Sequence, residues 1–150
     1  MRLALFEPDI PQNAASLMRT CACLGIPVDV IEPCGFLFSN AGFRRAGLDY
    51  LALAEVLRHE SWGAFRENLR GRLILLTTKA PLAYTAFAFD SADTLIVGRE
   101  SAGVPVLVHE AASQRVRVPM REGLRSLNVA QAGAMVLGEA LRQTKGFPLP

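Results

Sequence analysis

The chain is poor in the residues from which metal centres and acyl-transfer sites are built. It has two histidines, His59 and His109, and three cysteines, Cys21, Cys23 and Cys34, with no CxxC pair, so no metal site is expected. The odd cysteines read as small apolar residues. No GxSxG elbow is present, which weakens a hydrolase reading. No GxGxxG occurs either, and the GxxxxG from Gly98 to Gly103 lacks the Lys-Ser/Thr of a phosphate-cradling loop, which leaves dinucleotide and nucleoside-triphosphate readings poor. No apolar run approaches the roughly 18 residues of a spanning helix. Met1 to Leu5 leads directly into acidic Glu7 and Asp9 without the apolar core of a signal peptide, so the expectation is a cytoplasmic chain with no membrane partner.

What is present describes one folded unit. Hydrophobic residues make up 51% of the 150 positions and charged residues 20%, with mean hydropathy +0.25. A chain of this length buries roughly two-thirds of the surface its unfolded form exposes, so residues 1–150 are expected to form a single domain. The apolar excess points to a subunit interface as well. Net charge is only +2, but arginines gather at Arg44-Arg45, at Arg66/Arg70/Arg72 and at Arg115/Arg117/Arg121/Arg125, an arrangement that suits a polyanion or, more commonly, a solvated face.

The stretch from Arg115 to Leu137 carries the strongest local pattern. Val116 and Val118 alternate with arginines as in a strand, Pro119 stops the ladder, and a polar loop through Arg125 follows. Ser126 or Asn128 can cap a final helix that runs from Ser126 to about Gln143, its Ala130, Ala132, Gly133 and Ala134 forming a small-sided surface. Upstream, Arg2–Phe6 reads as a strand. Asn13 reads as the cap of a helix with Leu17, Cys21 and Leu24 at helical spacing, ended by Gly25, or as a ligand contact at the loop before it. Pro27–Ile31, Arg72–Thr78 and Asp93–Gly98 read as further strands, and Ser61 caps a helix through Arg70. Leu53–His59 is open between helix and strand, and a helix follows Pro105 through Ala111. Gly42–Tyr50 mixes two arginines, glycines and a tyrosine in a way that suits phosphate and a stacked base or, nearly as well, a solvated helix turn. Strands and helices alternate, which predicts an α/β fold with a mainly parallel sheet and ligands bound beyond its strand C-termini.

Three separated segments together resemble one family. Pro11-Gln12-Asn13-Ala14-Ala15-Ser16-Leu17-Met18-Arg19, Leu95 through Pro105, and Val118-Pro119-Met120 with Ser126-Leu127-Asn128-Val129-Ala130 are similar to the three motifs of SPOUT-class RNA 2'-O-methyltransferases. Glu32-Pro33 with Gly35-Phe36, Arg44 through Tyr50, and Leu76-Thr77-Thr78-Lys79 resemble the minimal, single-domain branch that acts on the tRNA wobble nucleotide.

The resemblance implies an α/β domain with helices on both sheet faces and a deep C-terminal trefoil knot, a topology that general rules treat as nearly forbidden. It implies S-adenosyl-L-methionine as cofactor, held largely by backbone at Leu76, Gly98, Val118, Met120 and Ser126, tRNA as substrate, and a homodimer built on the first and last helices. Arg19 matches the family's reactive arginine, with Asn13, Glu100, Ser126 and Asn128 as positioning groups. Because a guanidinium is not normally deprotonated, Arg19 is expected to hold phosphate and stabilise the developing alkoxide, with a base role left open. The sequence departs from the pattern at Ala15, where Gly is usual, at Arg99, where a small residue or Pro is usual, and at Gly138, often aromatic. The alternatives are a non-catalytic RNA-binding relative, a methyltransferase acting on another RNA, and a nucleotide-binding oxidoreductase, the last disfavoured by the missing fingerprint.

Overall fold

A computed structural model of the protein describes residues 1–39 and 53–149; the segment Gly42–Tyr50, with Arg44, Arg45 and Tyr50, lies outside the described residues. In chain order the elements are β1 (Arg2–Phe6), α1 (Pro11–Leu24), β2 (Val28–Ile31), β3 (Val56–His59), α2 (Trp62–Asn68), β4 (Leu73–Leu76), β5 (Leu82–Ala83), β6 (Thr94–Val97), α3 (Val106–Ala111), β7 (Gln114–Arg117) and α4 (Val129–Thr144). All strand pairs are parallel, in the order β3-β2-β1-β6-β4-β7-β5.

Side-chain alternation sorts these strands into two cores. Leu3, Leu5, Val28, Val30, Ile74, Leu95, Val97 and Val116 face α1 and α4, meeting Leu17, Met18, Val136 and Leu137. Their neighbours in the chain, Ala4, Phe6, Ile31, Leu73, Leu75 and Ile96, face α2 and α3 through Phe65 and Val108. Helices therefore cover both faces. Leu73, Ile74 and Leu75 are all buried, as the unbroken apolar run of a central parallel strand requires.

Element ends differ from the sequence reading in instructive ways. Asn13 does not cap α1: Pro11, whose missing N–H costs nothing in the first turn, starts the helix earlier, with Ile10 as the flanking residue. Gly25 closes α1 in the left-handed conformation, φ 66°. Ser126 is not the start of the last helix either. Asn128 caps it, its side chain accepting from the N–H groups of Ala130 and Gln131. That helix closes on Lys145 at φ 53°, one residue before Gly146. Ser61 does cap α2, accepting from the Ala64 N–H at 3.1 Å, but α2 ends at Asn68 rather than Arg70. Leu53–His59 resolves to the short strand β3. The two-residue β5 carries no sequence signal of its own and exists because β7 offers it an edge.

The small side chains of α4 are used inside the chain first. A Cβ at Gly133 would lie 2.9 Å from Leu17 Cδ2, so this glycine sets how closely α4 approaches α1. Gly138 faces open space, and Met135 is 44% exposed.

Candidate active site at the strand ends

β1, β6, β4 and β7 lie side by side, and their registered ends, Leu5 with Val97 and Leu76 with both Val97 and Val116, bring four loops to one edge. The loop after β6 is the most tightly built. Gly98 is required there by contact: a Cβ would lie 2.6 Å from the backbone carbon of Gly103. Arg99 and Gly103 exchange two backbone hydrogen bonds, at 3.2 and 2.8 Å, and Gly103 takes φ 66°.

This small loop is anchored to the loop after β1 by Asp9, a residue sequence reasoning did not single out. Asp9 accepts from the Glu100 N–H at 3.0 Å, from the Ser101 N–H at 3.3 Å and from the Ser101 hydroxyl. Gly35 then packs on Asp9, since a Cβ there would meet Asp9 Cβ at 2.8 Å. Nothing local in the sequence joins position 9 to positions 100 and 101; the only signal is an acid placed just before a proline-opened helix.

A polar chain continues inward. Asn13, in the first turn of α1, accepts from Asn128 Nδ2 at 2.9 Å and acts on the Glu100 carboxyl, so Asp9, Glu100, Asn13 and Asn128 link the loops after β1 and β6 to the start of α4. The hydrogen bond with the Glu100 side chain, then those from Ser101 and from backbone N–H groups, hold Asp9 down at about 2 against the effect of burial. Burial first, and then the Asp9 carboxyl, push Glu100 upward, and Glu100 Oε2 is buried without a hydrogen-bond partner.

The signs give a pH test. The depressed Asp9 contributes stability that is present above its unfolded value of 3.8 and lost as pH falls towards 2. Glu100, raised above 4.5, contributes in the opposite sense: its share is present below that value and lost as pH rises through its folded pKa. Glu100→Gln, which keeps an acceptor for Asn13 and carries no charge, is therefore expected to be at least as stable as the parent at pH 7. Its advantage should shrink as pH approaches 4.5, measured by urea unfolding. Greater stability of the parent at pH 7 would contradict this.

Asn128 serves both the polar chain and the cap of α4. Asn128→Ala removes two hydrogen bonds to N–H groups and one to Asn13, and should cost about 1–2 kcal/mol in urea unfolding, the upper part of the capping range. A change within a few tenths would show the cap to be idle.

The remaining expected site residues are placed as follows. Leu76 ends β4, Gly98 follows β6, and Val118 follows β7, all on the same edge, with Met120 and Ser126 in the loop that leads to α4. Positions 121–128 of that loop are exposed. Between Pro119 and Leu127 the backbone makes one internal hydrogen bond, Leu124 N–H to the Arg121 carbonyl. Its remaining peptide groups are thus available to a ligand, the setting that a cofactor held by backbone needs. Arg19 is not brought into the polar chain. It is exposed on α1, about 9 Å along the helix from Asn13.

Two departures are accommodated. The Ala15 methyl is buried in the α1/α4 core, and Arg99 forms an ion pair with Glu7, whose backbone takes φ 41°. Among the described residues, no group of three or more His, Cys, Asp or Glu side chains is placed to hold a metal ion, and no helix is long and apolar enough to cross a membrane.

Comparison with known proteins supplies the context. The model of the SpoU rRNA Methylase family matches residues 1–138. A tRNA (cytidine(34)-2'-O)-methyltransferase of Ancylobacter novellus is 56% identical over 98% of this chain and 95% of its own. A solved structure concerned with the 2-OH methylation of C/U34 on tRNA superposes with TM-score 0.90 at 39% identity, covering 97% of this chain and 96% of that one. A SpoU methyltransferase from Streptomyces viridochromogenes, in complex with the cofactor AdoMet, shares the fold at TM-score 0.86 and 22% identity, covering 95% of this chain and 57% of that one.

Proposed function

The chain belongs to the SpoU rRNA methylase family, and on that premise we propose that it transfers a methyl group from S-adenosylmethionine to the ribose 2'-hydroxyl of the tRNA wobble nucleotide, cytidine or uridine. The observation that carries the reading is the meeting of three motif segments at one sheet edge, through Asn13, Glu100 and Asn128.

Bound S-adenosylmethionine supplies the electrophilic methyl on its sulfonium. In the proposal Leu76, Gly98, Val118, Met120 and Ser126 hold it by backbone groups, with the Gly98–Gly103 turn giving the loop its fixed shape. Asn13, Glu100 and Asn128 are positioning residues, because each fixes another's side chain or loop. Arg19 grips a phosphate of the substrate and stabilises charge developing on the ribose oxygen. Oxygen, methyl carbon and sulfur must be aligned for the displacement, and rigid loops on strand ends supply that order.

The proposal takes residues 1–150 as one domain; one continuous sheet and the return of α4 onto α1 support it. It includes the deep C-terminal knot, supported by the way β6 and β7, which follow β4 in the chain, flank it in the sheet. A cytoplasmic location accords with a tRNA substrate. It also includes a homodimer on the outer side of α1 and α4. Support comes from Ile10 and Met135, 40% and 44% exposed. Sedimentation should find a dimer at working concentration, and a fully active monomer would sink this part.

The functional test is transfer of labelled methyl from S-adenosylmethionine to total cellular RNA, followed by fractionation and nuclease mapping. Label at the wobble ribose is expected. Label confined to ribosomal RNA would select the other-RNA alternative, and tight RNA binding without transfer would select the non-catalytic one.

A further inference from the structure

Strand β7 divides its side chains between two faces. Val116 is fully buried in the α1/α4 core, so Arg115 and Arg117 on either side of it project to the opposite face, and both are exposed. β7 is flanked on its outer side only by the two-residue β5, and the helix preceding it, α3, has six residues, so little covers the sheet here.

Other cations gather on the same side. Lys79, in the loop after β4, and Arg115 both act on His109 of α3: after burial, these two positive charges keep its imidazole below the ordinary pKa. Beyond Arg117 the chain enters the exposed loop that carries Arg121 and Arg125 and leads past Ser126 to α4. Among the described residues, none of Lys79, Arg115, Arg117, Arg121 and Arg125 forms an ion pair. The carboxylates in the same segments are Glu110 and Glu122, so five permanent cations stand against two acids. By contrast, Arg2 is matched with Asp29 at 2.7 Å and Arg72 with Asp93 at 2.7 Å.

We propose that Lys79, Arg115 and Arg117 form a phosphate-binding track that runs from the Arg121–Arg125 loop across the uncovered face of β7 and holds the RNA backbone outside the reacting nucleotide. The inference rests on the methyltransferase reading, and it adds where the rest of the substrate lies. A strand of phosphates is the polyanion that fits: guanidinium forks without acidic partners grip phosphate oxygens in two places, and the run ends at the loop where the methyl group is to be delivered. The track is on the sheet face opposite α1 and α4, so a dimer formed through those helices leaves it open to RNA.

The test is the double variant Arg115→Gln/Arg117→Gln, with Lys79→Gln/Arg121→Gln as a second variant at loop positions. Affinity for fluorescent tRNA is measured by anisotropy across 50–200 mM salt, beside S-adenosylmethionine affinity by calorimetry and kcat at saturating tRNA. Each lost phosphate contact lowers the logarithmic salt slope by about 0.9, so over this range parent affinity should fall about tenfold more than that of either double variant. Cofactor affinity and kcat should be unchanged, with the loss appearing in KM for tRNA. Parent and variants sharing one tRNA affinity and one salt slope, while the parent methylates tRNA, would overturn the track and leave the functional reading standing. Unchanged tRNA binding together with lost binding to phosphatidylserine vesicles would also overturn it, in favour of a lipid surface. A parent protein that binds cofactor and methylates no tRNA would overturn the functional reading, and the track with it.

Discussion

Arg19→Ala is expected to lower the single-turnover rate of methylation by about 10²-fold or more, the range for deleting one preorganised transition-state donor. The chemistry requires a group that meets negative charge as the ribose oxygen attacks, and no deprotonated arginine is needed for that. Cofactor affinity should barely change, because the residues proposed to hold S-adenosylmethionine end β4, β6 and β7 or lie in the loop before α4, whereas Arg19 is on α1. The fold should also survive, since Arg19 is exposed and α1 is anchored by buried Ala14, Leu17, Met18 and Cys21. Even Arg19→Lys should be damaging, because a point charge lacks the planar two-pronged grip. Near-normal methylation by Arg19→Ala would falsify the catalytic assignment, and a large loss of cofactor binding would show the residue to be misassigned. If the dimer shares its sites, mixing Arg19→Ala with a cofactor-site variant should restore part of the activity that each lacks alone.

The second large effect is expected from one methyl group. In Gly98→Ala the new carbon would stand 2.6 Å from the Gly103 backbone carbon and 2.9 Å from its Cα and oxygen, distances real Cβ atoms do not adopt. No flexible side chain can turn aside there, because the obstacle is backbone. The two backbone bonds between Arg99 and Gly103 must open, which moves Glu100 and releases the hold of Asp9 on this loop. Strain and lost hydrogen bonds of this kind amount to about 2–4 kcal/mol. If half of that falls on the cofactor-binding geometry, affinity for S-adenosylmethionine drops by about 10-fold, read by calorimetry on protein that still unfolds cooperatively. Gly138→Ala is the matched control: its Cβ meets nothing within 4 Å, so the same added methyl should be harmless to cofactor binding. Equal behaviour of the two variants would show that the turn is not what shapes the site.

Comparing the residues singled out by sequence with those the structure brings together shows which physics is local. Gly25, Ser61 and Asn128 could be read as helix boundaries because a left-handed residue or a side-chain acceptor acts within four positions. The run at Leu73–Leu76 could be read as a central strand because burial on both faces leaves no room for a polar residue. Asn13 does not act as a cap because Pro11 opens the helix before it and its side chain is turned to Asn128 and Glu100. The small-sided α4 suggested an interface between chains, yet Gly133 first serves the approach to Leu17 within the chain. Asp9 went unnoticed because its partners lie about ninety positions away and involve backbone, which leaves no residue-type signature. The motif resemblance gathered Asn13, Glu100 and Asn128 as a set; their contacts became visible only once the strand order was known.

That strand order has a consequence for how the chain is made. β1 finds its second neighbour in β6, Arg2 opposite Thr94, so once synthesised β1 waits for about ninety further residues before both its edges are covered. At roughly 5–20 residues per second that wait is about 5–20 seconds, and until it ends β1 has one unpaired edge and β4 two exposed to other nascent chains. The other pairings are shorter in reach but still non-local, from Leu73 opposite Thr94 to Ile74 opposite Gln114, a pattern associated with slow folding. Lowering the growth temperature during expression, or supplying chaperones that shield strand edges, should raise the soluble yield more than any substitution in the finished core.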